Sequence, residues 1–313
     1  MEPQAPEPKR LNHPWLIAIW PGMGHVALNA GVYLLAKLEM TAVAELEANN
    51  LFDAEQIEVK GGMIQPIKRP RSRFFVWQDP HQKHDLVIFL GEAQPPLGKH
   101  PFCRQIITYA RELGVERVFT FAAMATQMHP ERPARVFGAT TDEESLEEIK
   151  RLELELVEDG NISGLNGVLL GVAAEAGLRG TCLLGEMPHI FAQLPFPKAS
   201  LAILEVFTTI AKIDVDLSQL AEQAKATEHQ LGELLARVEE TLGQQYQPEP
   251  EEFRPEPVEE ERLSPADQQR LDGLFEQAAK DKSKAFALKQ ELDRLGVFKE
   301  YEDRFLDLFK KSA

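Results

Sequence analysis

Four short runs dominated by apolar side chains limit how this chain can fold: residues 15–20 (WLIAIW), 85–90 (DLVIFL), 116–121 (ERVFTF) and 181–184 (TCLL). They are shorter than ordinary helices and lack polar alternation, the pattern of strands buried on both faces. Such strands need helices above and below them. Between them lie helix-patterned stretches, including Val26, Leu28, Val32, Leu35 and Leu38, and later residues 102–113. This alternation predicts a three-layer α/β/α domain around a mainly parallel sheet.

Further elements follow from local signals. Pro21, Gly22 and Gly24 break the first run into a turn, and residues 41–46 form the next strand, completing a β-loop-α-β unit. Residues 57–77 carry Gly61, Gly62, Pro66 and Pro70 between β-prone pieces, which suits a hairpin or antiparallel strands. Residues 134–139 are a further extended piece, and the acidic stretch to Glu148 reads as a helix. Residues 161–167 read as a glycine-punctuated loop before a helix over 168–176. Two helices end the domain, over 200–213 and about 217–242. In the second, Leu217, Leu220, Ala224, Leu231, Leu234 and Val238 make a seam that packs either on its own domain or on a partner.

The remainder divides by composition. Residues 1–13 read as a Pro-rich disordered tail, 14–213 as the α/β core and 214–246 as the long helix. Residues 247–263 are an acidic Pro/Glu linker that cannot bury a core. Ser264, Pro265 and Asp267 then start a helix running to about Leu295, stopped by Gly296, and residues 301–309 add a short amphipathic helix. This C-terminal helical extension, 264–313, is small enough to need something to dock on.

Charge and cysteine usage exclude several functions. A net charge of −16 repels a phosphate backbone, so no nucleic-acid partner is expected. No stretch is apolar for the roughly 18 residues of a membrane helix, so no membrane partner is expected either. Nothing at the start resembles a secretion signal, and the two cysteines, Cys103 and Cys182, form no disulfide framework. A reducing, cytoplasmic setting fits.

Two sets of residues invite a chemical reading. Gly22, Gly24 and Ala27 follow a strand in a G-x-G-x-x-A pattern, with Glu45 or Glu47 about twenty residues on, as a dinucleotide site would have. A tight strand-to-helix turn alone also demands glycines. The second set gathers at strand ends, where open α/β sheets bind ligands: Glu92 and Gln94, the stretch 126–135, Asn166, then Glu186 and His189. There Glu92 or Glu186 would act as acid or base, and His129 or Arg132 would hold an anion. Solvated turn residues have the same composition. His81 and His84, near Asp79 and Asp85, lack metal-ligand spacing, so neither a metal nor a cofactor is expected.

Several motifs occur in a particular order: PGMG (21–24), DLVIFLGEAQP (85–95), GVERVFTFAAM (114–124), HPERPARVFGATTD (129–142), the segment 160–188 and LPFPKASLAILEVF (194–207). The G-x-I-x-G-x-N-G-x-L-L pattern at 160–170 is the most specific of them. Together they resemble the proteasome assembly chaperone family, of the second-chaperone type, over residues 15 to about 220. The resemblance implies a nucleoside-phosphorylase-like α/β/α domain that self-associates and binds protein partners. Proteasome-docking tails often end in a hydrophobic residue, a tyrosine and any residue. This chain ends Lys311-Ser312-Ala313, so insertion of its tail into a ring is not expected.

The reading that follows is a homo-oligomeric binding or assembly protein of unknown partner. Its rivals are a nucleosidase- or phosphorylase-type enzyme using Glu92, His129, Asn166 and Glu186, and a nucleotide-binding regulator using Gly22 and Gly24.

Overall fold

The structure is a computed structural model that describes residues 11–53, 57–245, 264–281 and 284–295, with a few positions beyond. It forms two compact units, Met1–Tyr246 and Gln247–Ala313. Residues 1–10 and the Pro/Glu segment at 247–263 lie outside the described residues.

The first unit contains β1 (Trp15–Ile19), α1 (Val26–Lys37), β2 (Thr41–Glu45), β3 (Val59–Lys60), β4 (Met63–Ile64), β5 (Ser72–Trp77), β6 (Leu86–Gly91), α2 (Lys99–Glu112) and β7 (Arg117–Thr126). It continues through β8 (Val136–Thr140), α3 (Glu143–Arg151), β9 (Glu155–Leu156), α4 (Gly164–Glu175), β10 (Arg179–Pro188), α5 (Pro197–Ala211) and α6 (Ser218–Gln245). Eight strands make one sheet in the order β2-β5-β6-β1-β7-β10-β8-β9, and β3 and β4 pair apart from it. The centre, β6-β1-β7-β10, is parallel, while β5 and β2 on one side and β8 on the other are antiparallel to their inner neighbours. The expected α/β architecture with a mainly parallel sheet is present.

The period of two along each strand separates two cores. Trp15, Ile17 and Ile19 of β1, with Leu86 and Ile88 of β6 and Phe119 of β7, face α1 and α5. Leu16 and Ala18, with Val87, Phe89 and Val118, face α2 and α4. Each central strand is apolar on both sides because each side meets a helix layer. The helix α3 begins where the Asp142 carboxylate accepts from the Ser145 N–H at 2.8 Å, and its acids lie at the N-terminal end and its bases at the C-terminal end.

Four expectations change. The strand β2 lies at the sheet edge, antiparallel to β5, and β6 rather than β2 is the neighbour of β1. Its small residues (TAVAE) are mostly exposed, whereas β6 (LVIFLG) is buried throughout, and the larger apolar strand takes the central position. The helix α4 starts at Gly164, so Asn166 and Gly167 are helical rather than in a loop. A Cβ on Gly167 would sit 2.1 Å from the Ile162 carbonyl, so this glycine serves close packing rather than breaking the helix. The body also begins earlier than expected: the Asn12 N–H donates to the Asp85 carboxylate at 2.7 Å, and His13 meets Glu116.

The fourth change is in the second unit, which contains α7 (Pro265–Lys280) and α8 (Ala285–Arg294). The expected single helix breaks at Asp281, whose backbone is extended. Asp bonds the local backbone readily and favours such breaks. The break lets Ala285, Leu288 and Leu292 pack with Leu271, Phe275 and Ala278. The start is as read: the Ser264 hydroxyl accepts from the Asp267 N–H at 3.1 Å, with Pro265 in the first turn.

Candidate functional site

The C-terminal ends of the parallel strands are the place to look for a ligand, and here several of them are bridged by the chain's own bonds. After β1, Gly24 takes a left-handed backbone with φ 59°, and a Cβ there would meet the Met187 sulfur at 2.7 Å. Its N–H donates to the Ala192 carbonyl at 2.9 Å and its carbonyl accepts from the Phe196 N–H at 2.9 Å. The amide a phosphate would use is therefore occupied. Gly22 has no such crowding. A dinucleotide site further requires the strand carrying the ribose-binding acid to lie beside β1. Glu45 instead stands on the edge strand β2, where it pairs with Arg71, and its pKa lies below the ordinary carboxylate range because of that pair.

The loop after β6 bridges to its neighbours. Gln94 Nε2 donates to the Pro21 carbonyl at 3.3 Å, and Gln94 Oε1 accepts the Leu165 N–H at 3.2 Å. One side chain thus joins the β1 turn to the first turn of α4, whose free N–H groups would otherwise attract an anion. Gly164, at φ 72°, leaves room for it, since a Cβ there would stand 2.8 Å from Gln94 Oε1. Glu92 turns towards the sheet edge, accepting from Arg73 at 2.8 Å and from the Arg71 N–H at 3.0 Å.

Glu186 is the most enclosed of the candidates at 3% exposure. Its carboxylate accepts from Arg135 Nε at 2.9 Å, Arg135 Nη2 at 2.7 Å, the Thr126 hydroxyl at 2.8 Å and the Arg135 N–H at 3.3 Å. The guanidinium above all holds this carboxyl below the usual range, while the Arg135 pKa is raised in return. A carboxylate so held stays ionised at neutral pH and is poorly suited to exchange protons there. It forms the floor of a pocket of about 510 Å³ that Met128, Arg132 and Arg135 also line.

These residues do not converge. Glu92 lies in the loop after β6 and Glu186 on β10, and these two strands are separated by β1 and β7, about 14 Å at the ordinary strand spacing. Asn166 lies on α4, and its Oδ1 is buried without a hydrogen-bond partner among the described residues. The His129 ring accepts from the Glu131 N–H at 3.3 Å in an exposed loop. That loop is pinned by Lys198, whose ammonium donates to the Pro130 and Arg132 carbonyls at 2.8 and 2.7 Å. Of the four cleft candidates, Glu186 lines the pocket of about 510 Å³.

The remaining polar clusters are structural. The Asp85 carboxylate accepts the Asp79 N–H at 2.9 Å, Asp79 accepts the His81 and Lys83 N–H groups, and His84 stacks on Trp15 with ring centroids 4.1 Å apart. Burial pushes the Cys103 thiol up to about 12 and Cys182 up to about 11, so both remain protonated and unreactive in the fold. On α6, Leu220, Ala224 and Leu231 are buried in the core beneath α5, so the seam packs largely on its own domain; Leu234 remains 42% exposed. The residues that hold the strand ends together, Gln94, Arg135 and Lys198, were not singled out as a group from the sequence. Their sequence signal is position: Gln94 follows a strand, Arg135 lies within the stretch 129–142 and Lys198 within the stretch 194–207. No helix among the described residues is long and apolar enough to cross a membrane.

Comparisons with known proteins give a consistent answer. An uncharacterized protein of Methanocaldococcus jannaschii is 28% identical over 235 residues, covering 74% of this chain and 86% of its own. The structure resembles that of PbaB from Pyrococcus furiosus, an archaeal proteasome activator, with a TM-score of 0.62 and 27% identity over 74% of this chain and 96% of that one. It also resembles PbaA of the same organism, an archaeal homolog of proteasome-assembly chaperone, with a TM-score of 0.57 and 25% identity over 76% of this chain and 93% of that one. The PAC2 family model matches residues 16–235, the span from β1 into α6 that carries both cores of the body, and the chain belongs to the PAC2 family.

Proposed function

We propose that this chain is a chaperone-like scaffold that self-associates and binds a protein partner of the proteasome type, rather than a small-molecule enzyme. The observation that carries this reading is the occupation of the strand ends. Gln94 bridges Pro21 to α4, Gly24 is bonded to the loop after β10, and Glu186 is held by Arg135. A site so engaged with itself offers few polar groups to a substrate, and a sheet rigid at its loops suits a body that presents surfaces. The names of the relatives point the same way, since PbaB is a proteasome activator and PbaA a chaperone homolog. The nucleosidase reading needs Glu92 and Glu186 in one cleft, and the nucleotide reading needs a free Gly24 amide. The three strand spacings between β6 and β10 and the bonded Gly24 amide weigh against these two readings.

Binding is measured with an archaeal proteasome core particle and with its free α subunits, by sedimentation velocity at micromolar concentrations. A complex with either supports the proposal. No complex with either, together with heat released on titrating a purine nucleoside, would sink it and restore the enzyme.

A further inference from the structure

The body carries an apolar surface that its own cores do not use. Between β2 and β5 the β3–β4 hairpin turns through Gly61 and Gly62, setting Val59 opposite Ile64. Alternation places Ile57 on the same side as these two, and the three are 51%, 60% and 73% exposed. None of them joins either core of the body. A lone two-stranded hairpin is marginal in water unless something covers a face. Its surroundings are also unusual in charge: residues 57–73 hold five basic side chains against one acidic, in a chain of net charge −16, and although Lys60 and Lys68 pair with Glu58, Arg71 with Glu45 and Arg73 with Glu92, the bases outnumber these three acids.

The complement of this surface lies on the same molecule at the other end of the sheet. A groove of about 780 Å³ runs along β8 and β9, where Met124, Phe137, Leu154 and Leu156 alternate with acidic residues including Glu153, Glu155, Glu158 and Asp159. No ion pair engages Glu158 or Asp159 among the described residues. The hairpin leaves the chain beside β5, and β5 and β8 are five strand spacings apart, about 24 Å. The exposure of Val59 and Ile64 shows that the hairpin does not fill the groove of its own copy.

We propose that the β3–β4 hairpin of one copy seats in the β8–β9 groove of a second copy, with the isoleucines and valine against Met124, Phe137, Leu154 and Leu156 and the basic flank against the acidic lining. The two surfaces differ, so the contact is head-to-tail, and repeating it closes a ring or extends a filament. This rests on the self-association half of the proposed function and is independent of which partner the scaffold binds.

The test uses the full chain in size-exclusion chromatography with light scattering, over a concentration series at low and high salt. The wild type is expected to associate, less strongly at high salt. Ile64→Asp on the hairpin is expected to weaken association about 10- to 100-fold, the worth of one buried isoleucine. Glu158→Lys with Asp159→Lys in the groove should weaken it at low salt. All three positions are exposed, so the thermal transition of each variant should match the wild type. Each variant keeps one good surface, so a mixture should form a pair of one copy of each and nothing larger. A monomeric wild type would overturn both the proposal and the self-association reading. An associating wild type with unaffected variants would overturn the proposal alone. Variants that dissociate singly and fail to pair when mixed would overturn it too, and would indicate hairpin-to-hairpin contact.

Discussion

The body and the C-terminal unit bury apolar side chains by different means. In the body, β1, β6, β7 and β10 present large residues to both faces of one sheet, so Phe119 meets Phe207 from α5 on one side while Phe89 meets Phe102 from α2 on the other. Backbone pairing along the sheet ties the two cores together. In the C-terminal unit, six buried residues of α7 and α8 form a single small cluster, and Arg304 covers Phe275 with its guanidinium 4.2 Å from the ring centroid. Small domains bury a lower fraction of their surface and have little stability to spare. The difference implies that the body tolerates a local loss, whereas the C-terminal unit depends on every large side chain and on its cap.

The sharpest way to break this comparison is to remove one buried ring from each unit. Phe119→Ala should cost the body about 3–5 kcal/mol and Phe275→Ala about as much in the C-terminal unit. Denaturant unfolding followed by helix-specific and tryptophan signals should show the body destabilised but folded in the first variant. In the second, the α7–α8 signal should be lost with the body transition in place. A shared transition that moves in both variants would show one cooperative unit instead of two.

A medium effect is expected inside the body. Glu186→Gln leaves Arg135 without its anionic partner, and a loss of about 2 kcal/mol is expected at neutral pH from the weakened charge-assisted bonds. The Glu186 pKa is depressed in the fold, so its contribution is present above the ordinary carboxylate value and disappears as pH falls through the folded value. The stability gap between wild type and variant should therefore close in acid. A gap that persists unchanged there would assign the loss to packing instead of charge.

The smallest effect tests the cap. Ser264→Ala removes the acceptor for the Asp267 N–H and should cost the C-terminal unit about 1 kcal/mol, with no change in the body. A body transition that moved with it would mean the units are coupled.

What was readable in the sequence depended on how local the cause was. The runs at 15–20 and 85–90 announce buried strands because a strand covered on both faces needs apolar residues at every position. Ser264, Pro265 and Asp267 announce a helix start because the cap acts within one turn. The place of β2 was not readable in the same way, since its order in the sheet depends on competition with β6. Gly167 looked like a loop residue because glycine serves both loops and close approaches, and only the Ile162 carbonyl beside it distinguishes them.

The candidate site shows the same division. Glu186 could be picked as a strand-end carboxylate, but its partner Arg135 lies 51 positions away, and no spacing rule links them. Gln94 looked like one more polar loop residue until the fold set it between Pro21 and Leu165.

The sequence by itself determined the α/β class, the family-specific glycine pattern and the start of the C-terminal helical segment at Ser264, because each follows from residues within a few positions of one another. Tertiary structure alone decided that Gln94, Arg135 and Lys198 bridge the strand-end loops, that Leu220, Ala224 and Leu231 of α6 face inward and that Val59 and Ile64 of the β3–β4 hairpin face outward. Those outcomes turn on which distant surfaces meet, and side-chain pairing across the sheet is set only once strand order and register are in place.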